Sequence, residues 1–234
     1  MSASSRRRSA EASAAVTGLA SSGALGRRPA PSTADPTNPM LVIISGPSGV
    51  GKDTIIEALQ KRGHRPAYRY VVTCTTRPPR PKEIDGVSYR FLSAADFAAL
   101  RDAGELLEAA EVHGNWYGTP RAAVRTALTG GHHAILKIDV QGARAVKSLV
   151  PEAVLIFVVP PSFETLVEHL KARRTESAEQ LEIRQRDAAI ELARQDDYDY
   201  VVVNEEGRVD RTAERIEKII AEEERRGSRR TVTV

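Results

Sequence analysis

The sequence predicts an α/β fold, a parallel sheet with helices on both faces that forms a three-layer sandwich, interrupted once by a β-rich insertion. Apolar runs at 41–44, 134–138, 154–159 and 200–203 alternate with helix-like segments at 52–62, 141–149, 163–172, 177–194 and 210–226. Alternation of this kind marks strands joined by crossover helices. The runs are apolar at consecutive positions, as in Val154-Leu155-Ile156-Phe157-Val158-Val159, which suits strands covered on both faces. The rhythm breaks at 73–119, a segment dense in Arg, Pro, Gly and aromatic residues that reads as an inserted, largely β module.

Residues 1–39 precede this pattern. They are rich in Ala, Ser, Pro and Arg and lack helix or strand periodicity, so they cannot bury enough apolar surface to offset the entropy of ordering. The segment is expected to be a disordered tail or a targeting extension. It carries Arg6, Arg7, Arg8, Arg27 and Arg28 against Glu11 and Asp35, and so accounts for the whole formal charge of +3. The remainder is neutral, and the isoelectric point near 9.1 is therefore weak support for nucleic-acid binding. Arg- and Ser-rich, acid-poor composition fits a transit peptide for a plastid or mitochondrion, but a bacterial extension on a cytoplasmic protein has the same composition and is the preferred reading. No 18-residue apolar stretch predicts a membrane span, and the single Cys74 excludes an internal disulfide and suits a reducing compartment.

The first strand, Leu41 to Ile44, runs into Gly46-Pro47-Ser48-Gly49-Val50-Gly51-Lys52-Asp53-Thr54, and a helix follows. Glycines at 46, 49 and 51 allow a tight turn with N–H groups facing inward, the helix start adds positive potential, and Lys52 supplies a cation. The spacing fits the phosphate-loop pattern G-x-x-x-x-G-K, with Asp53 where a Ser or Thr is usual, and predicts a nucleoside triphosphate as occupant.

The insertion brings the second half of the chemistry. Thr75-Thr76-Arg77-Pro78-Pro79-Arg80 holds two guanidinium groups three residues apart on a proline-stiffened stretch, a geometry suited to clamping a phosphate. Tyr89 and Tyr117 offer phenols to the same anion. The histidines show no metal-ligand spacing, and neither a zinc nor a redox centre is predicted.

The motifs GPSGVGK, TTRPPR, EIDGVSYRF, ELLEAAEVHGNWYGT, IDVQGA, RRTE and YDYVVVN occur in the order and spacing of guanylate kinases, and this resemblance spans residues 41–225. It implies a domain over 40–225 of the P-loop NTPase type, with a core at 40–72 and 120–225, a GMP-binding insert at 73–119, a helical lid at about 163–190 and a flexible C-terminus at 226–234. It further implies transfer of the ATP γ-phosphate to GMP, or dGMP, with Mg²⁺ arriving on ATP. The implied partners are these nucleotides, with no nucleic acid and no membrane, and the implied state is a monomer or small homo-oligomer. The GKD loop and the basic residue before IDVQGA resemble the plastid and bacterial subgroup.

Position by position, the resemblance implies that Arg77, Arg80, Tyr89 and Tyr117 hold the GMP phosphate and that Thr73, Glu108, Thr119 and Asp139 read guanine. The second set is chemically sensible: guanine offers N1–H and a 2-amino group as paired donors to a carboxylate, and adenine does not. Gly46 to Thr54 and Asn204 correspond to ATP-side positions, and Lys52, Arg173 and Arg184 to the cations of catalysis. Arg174 and Arg186 read as ordinary surface charges, and Asp102, Glu105 and Glu111 as a solvated helix face. His169 stands where an arginine is common and reads as structural. Two other classes compete, a scaffold-type binding module that has lost catalysis and a kinase for phosphorylated sugars. Intact Lys52, Arg77 and Arg80 oppose the first, and Glu108 with Asp139 opposes the second. Asp53 and Lys137, an acid gained and an acid lost, are expected to lie close together, with Asp53 taking over the work of holding metal-bound water.

Overall fold

The computed structural model describes residues 38–63, 68–172, 178–226, 232 and 234. Its central sheet has the strand order β2-β7-β1-β8-β9, built from β1 (Leu41–Ser45), β2 (Tyr68–Tyr70), β7 (His133–Lys137), β8 (Val154–Val159) and β9 (Tyr200–Val203). All of its pairings are parallel. β1 lies in the middle and is buried along its whole length. Side chains alternate across a strand, so Val42 and Ile44 enter one hydrophobic layer while Leu41 and Ile43 enter the other.

The first layer is closed by α1 (Lys52–Arg62) through Ile55 and Leu59, by α5 (Phe163–Ala172) through Leu166 and Leu170, and by α7 (Val209–Arg225) through Ile216, Ile219 and Ile220. The second is closed by α3 (Arg121–Thr129) through Val124 and Ala127, and by α4 (Val140–Leu149) through Ala143 and Val146. Three layers result, as the apolar runs predict. α6 (Ala178–Leu192) follows α5 and adds Ala188 to the first layer. Val232 and Val234, in the stretch expected to be flexible, pack against the second layer, and the Val234 carbonyl accepts from Arg125.

The insertion forms its own four-stranded sheet, ordered β4-β3-β6-β5, from β3 (Cys74–Thr75), β4 (Arg90–Phe91), β5 (Leu106–Val112) and β6 (Asn115–Pro120). It also carries α2 (Ala94–Asp102), which a purely β reading omits. Ser93 caps this helix by accepting the Asp96 N–H at 3.1 Å, and Ser93-Ala94-Ala95-Asp96 is the capping pattern that marks it in sequence. Among the described residues β2, α2, α3 and the short 3-10 helix Gln195–Asp197 went unforeseen. The acidic group near Glu108 also differs from expectation. Glu111 lies on β5 and Glu105 in the loop before it, so only Asp102 is helical, although all three are exposed. Residues 1–37, Arg173 and Arg174 lie outside the described residues. No helix among the described residues is long and apolar enough to cross a membrane.

Candidate active site

The loop after β1 is shaped by close approach to its neighbours. Gly46 has φ 145°, and a Cβ there would stand 2.3 Å from the Val158 carbonyl oxygen on β8. Gly51 caps α1 at φ 92°, and a Cβ there would stand 2.7 Å from Asn204 Nδ2. Only glycine meets both demands without displacing backbone or the Asn204 amide.

Lys52 Nζ folds back over the loop and donates to the carbonyls of Gly46 and Pro47 at 2.6 and 3.0 Å. Burial lowers its pKa, while the carboxylates of Glu191, Asp53 and Asp139 oppose that shift. Thr54 Oγ1 donates to the Gly51 carbonyl at 2.7 Å. Four further side chains fasten the loop. Arg184, on α6 and buried, donates to Ser48 Oγ at 2.6 Å. Glu191, the penultimate residue of α6, accepts the Ser48 N–H at 3.2 Å. His169 Nδ1 lies 3.2 Å from the Gly49 carbonyl, so the expected structural histidine touches the phosphate loop itself. Asn204 donates to the Val50 carbonyl at 2.8 Å and accepts from Thr212 on α7 at 2.9 Å, so its amide ties the loop to that helix.

Across the cleft stands the second sheet. Glu108 on β5 is 6% exposed and accepts from Thr119 Oγ1 on β6 at 2.7 Å. Burial pushes its pKa up to about 7, with the Thr119 hydrogen bond pulling the other way. A Cβ on Gly142, in the first turn of α4, would sit 2.9 Å from Glu108 Oε2, so that helix start closes tightly over the carboxyl. Asp139 caps the same helix by accepting the N–H groups of Gln141 and Gly142 at 2.7 and 3.0 Å. Thr73 is buried and lines the same cavity as Glu108 and Asp139.

A cavity of about 150 Å³ joins the two halves. Gly46, Ser48, Gly49, Gly51, Lys52, Asp53 and Arg184 line it from the loop side, and Thr73, Arg80, Tyr89, Glu108, Tyr117 and Asp139 from the other. A larger open hollow of about 520 Å³ adjoins it along α4 and α6 and shares His113 and Glu191 with it. The smaller one is lined by the phosphate loop. His113 was not foreseen. It has φ 50°, and its Nδ1 is 3.4 Å from Asp187 on α6, a contact between the insertion and the expected lid.

Arg77 departs from the expected clamp. Its guanidinium donates to Glu83 through two nitrogens at 2.9 Å each, to the Pro78 carbonyl at 2.7 Å and to the Tyr117 hydroxyl at 3.3 Å. It also lies over the rings of Tyr89 and Phe91, at 5.5 and 5.9 Å. Arg77 therefore buttresses the two tyrosines rather than facing the cavity. A paired carboxylate suits a fork-shaped cation of this kind, and the only sequence signal for it was Glu83 standing three residues after Arg80. Arg186, read as a surface charge, is exposed and 3.7 Å from Glu182 one turn earlier.

A glycine loop at a strand end, with its lysine opposed by a separate acceptor pocket, is the layout of a phosphotransferase with a P-loop donor site. Sequence comparison narrows that class. Residues 38–223 match the guanylate kinase family model, and the chain belongs to the guanylate kinase family. It is 48% identical over 168 residues to a guanylate kinase of Nocardia farcinica, covering 71% of this chain and 86% of that protein. It is 40% identical over 202 residues to guanylate kinase 2, chloroplastic/mitochondrial, of Oryza sativa, covering 86% and 70%. The crystal structure of guanylate kinase from Anaplasma phagocytophilum superposes with a TM-score of 0.66 at 32% identity, covering 83% of this chain and 90% of that one.

Proposed function

We infer that this chain transfers the γ-phosphate of ATP to GMP, giving ADP and GDP, with ATP phosphates on the loop 46–54 and GMP in the pocket of the insertion. The observation that carries this assignment is one cavity lined by both Lys52 and the buried Glu108. Glu108, fixed by Thr119, meets the N1–H and 2-amino donors of guanine, while Thr73 and Asp139 serve the rest of the base edge. AMP would leave the buried carboxyl without those donors.

The acceptor phosphate is already an anionic nucleophile at neutral pH, so no general base is required. In-line transfer depends on positioning and on neutralising charge over the moving phosphoryl group. Lys52 supplies a cation from the phosphate loop and Arg184 one from α6. Closure of the lid excludes water. Among the described residues no group of three or more His, Cys, Asp or Glu side chains is placed to hold a metal. The hard oxygen donors lining the cavity, Asp53 and Asp139, fit a Mg²⁺ ion that arrives on ATP and keeps most of its water. Bound there, the ion neutralises phosphate charge. The buried free thiol of Cys74, pushed up to about 11 by burial, is inert and suits a reducing cytoplasm.

Turnover with ATP and each of GMP, AMP and CMP tests the assignment. GMP should be used efficiently and AMP very poorly, and equal use of GMP and AMP would overturn it. Within the acceptor site, Arg80→Ala should raise the KM for GMP by about tenfold or more and leave that for ATP within about twofold. Arg77→Ala should raise the KM for GMP less, by loosening Tyr89 and Tyr117, and should lower the melting temperature, because it leaves Glu83 without its partner. Weakened ATP binding with GMP unaffected would refute this division of labour.

A further inference from the structure

Lys137 ends β7, the strand beside β1, and its side chain is 16% exposed. Its ammonium group pairs with the Asp53 carboxylate at the start of α1 and lies 4.4 Å from the Tyr89 ring centroid in the insertion. It therefore touches the donor loop's helix and the acceptor sheet at once. Burial alone would weaken the cationic form of Lys137, but Tyr89 and Asp53 raise its pKa above the ordinary value, so the group stays charged. Lys137 lines the same cavity as Lys52 and Arg80.

The acceptor side needs such a cation. A nucleoside monophosphate brings two negative charges, and Arg77 is engaged by Glu83, so Arg80, Tyr89 and Tyr117 are left to meet them from the insertion. We propose that Lys137 is an acceptor-phosphate ligand of this enzyme, held ready by Asp53 and passed from that carboxylate to the phosphate of the bound monophosphate. The exchange is physically reasonable because Asp53 is 61% exposed and is rehydrated when Lys137 turns away, whereas the buried stem of Lys137 keeps its ammonium at the cleft. A doubly charged phosphate also attracts it more strongly than a single solvated carboxylate does. Tyr89, against which Lys137 rests, lies with its ring centroid 6.1 Å from that of Tyr117, so the cation arrives beside both phenols. The proposal rests on the acceptor reading above and adds a residue to it.

Binding of GMP and of guanosine, which has the base but no phosphate, distinguishes this role from structural support. Dissociation constants are measured for the full chain and for Lys137→Met, Lys137→Arg and Asp53→Asn. Lys137→Met should weaken GMP about tenfold or more while guanosine changes by less than about twofold, and Lys137→Arg should restore most of the loss. Asp53→Asn, which removes the competing carboxylate, should tighten GMP when Lys137 is present and do nothing in the Lys137→Met background. A parallel loss of GMP and guanosine in Lys137→Met, or an unchanged preference for GMP over guanosine, overturns the proposal. The functional assignment itself fails by a different result, a wild-type protein that does not phosphorylate GMP with ATP.

Discussion

Lys52→Ala should lower kcat with ATP and GMP by roughly 10²–10³-fold, the range seen when one preorganised donor to developing charge is removed. The KM for GMP should move by less than about threefold. The split follows from where the ammonium lies. It is parked on the Gly46 and Pro47 carbonyls of the donor loop, whereas the carboxylate read as facing guanine stands on β5 across the cleft. Because those carbonyls keep other partners in water, the variant should fold normally, and an unchanged thermal melt checks this. Lys52→Arg should not rescue well, since a planar fork cannot replace a compact ammonium beneath a tight turn. A kcat within tenfold of the wild type would show that charge neutralisation comes mainly from elsewhere in the site.

Glu108→Gln should cut the preference for GMP over AMP by about ten- to a hundredfold, mostly through loss of GMP binding. A hydrogen bond to a buried charged group contributes roughly 1.5–3 kcal/mol, and the glutamine also presents an NH₂ where guanine presents donors. The same carboxyl predicts a pH dependence. Its pKa is raised to about 7 in the free protein, so part of the population is protonated at neutral pH. Guanine donors favour the carboxylate, so GMP binding should release protons near pH 7, and affinity should fall as pH drops below 7. The stability effect has the opposite direction. A carboxyl whose folded pKa lies above its unfolded value holds its proton better when folded, so this site favours the fold at pH below about 4.5 and that contribution is lost as pH rises through 7. Calorimetry of GMP binding in buffers of different ionisation enthalpy reads the proton release. No release at pH 7, or equal loss of GMP and AMP activity in Glu108→Gln, would remove Glu108 from its assigned role.

The phosphate loop was legible because glycine spacing and a following lysine are local consequences of backbone geometry. The strands were legible where burial on both faces made runs of consecutive apolar residues. β2 was not. Tyr68-Arg69-Tyr70 is a three-residue edge strand with its middle residue exposed, too short and too polar to rise above loop composition. α3 was hidden for another reason: Arg121 to Thr129 is rich in Ala and Arg, and only Val124 and Ala127 are buried. In the site, residue types announced candidates but not their orientation. Arg77 and Arg80 look equivalent in TTRPPR, and only the fold shows that Glu83 draws one of them away from the cleft. Glu191 and His113 act through contacts with residues distant in the chain, which no spacing rule reveals. Asp53 and Lys137 were the exception: two departures from the pattern, of opposite charge, pointed to each other, and they are paired.

β2 and β7 are parallel neighbours in the central sheet, although the whole acceptor insertion runs between them. The entropy of closing such a loop grows only with the logarithm of its length, about 0.6 kcal/mol for each doubling. The core therefore scarcely registers how long the excursion is, provided that Tyr68 to Tyr70 still finds His133 to Ile135. On the proposed assignment, most of the acceptor pocket sits in a segment whose growth, trimming or replacement carries little thermodynamic consequence for the central sheet, so the two halves of the site are free to diversify at different rates.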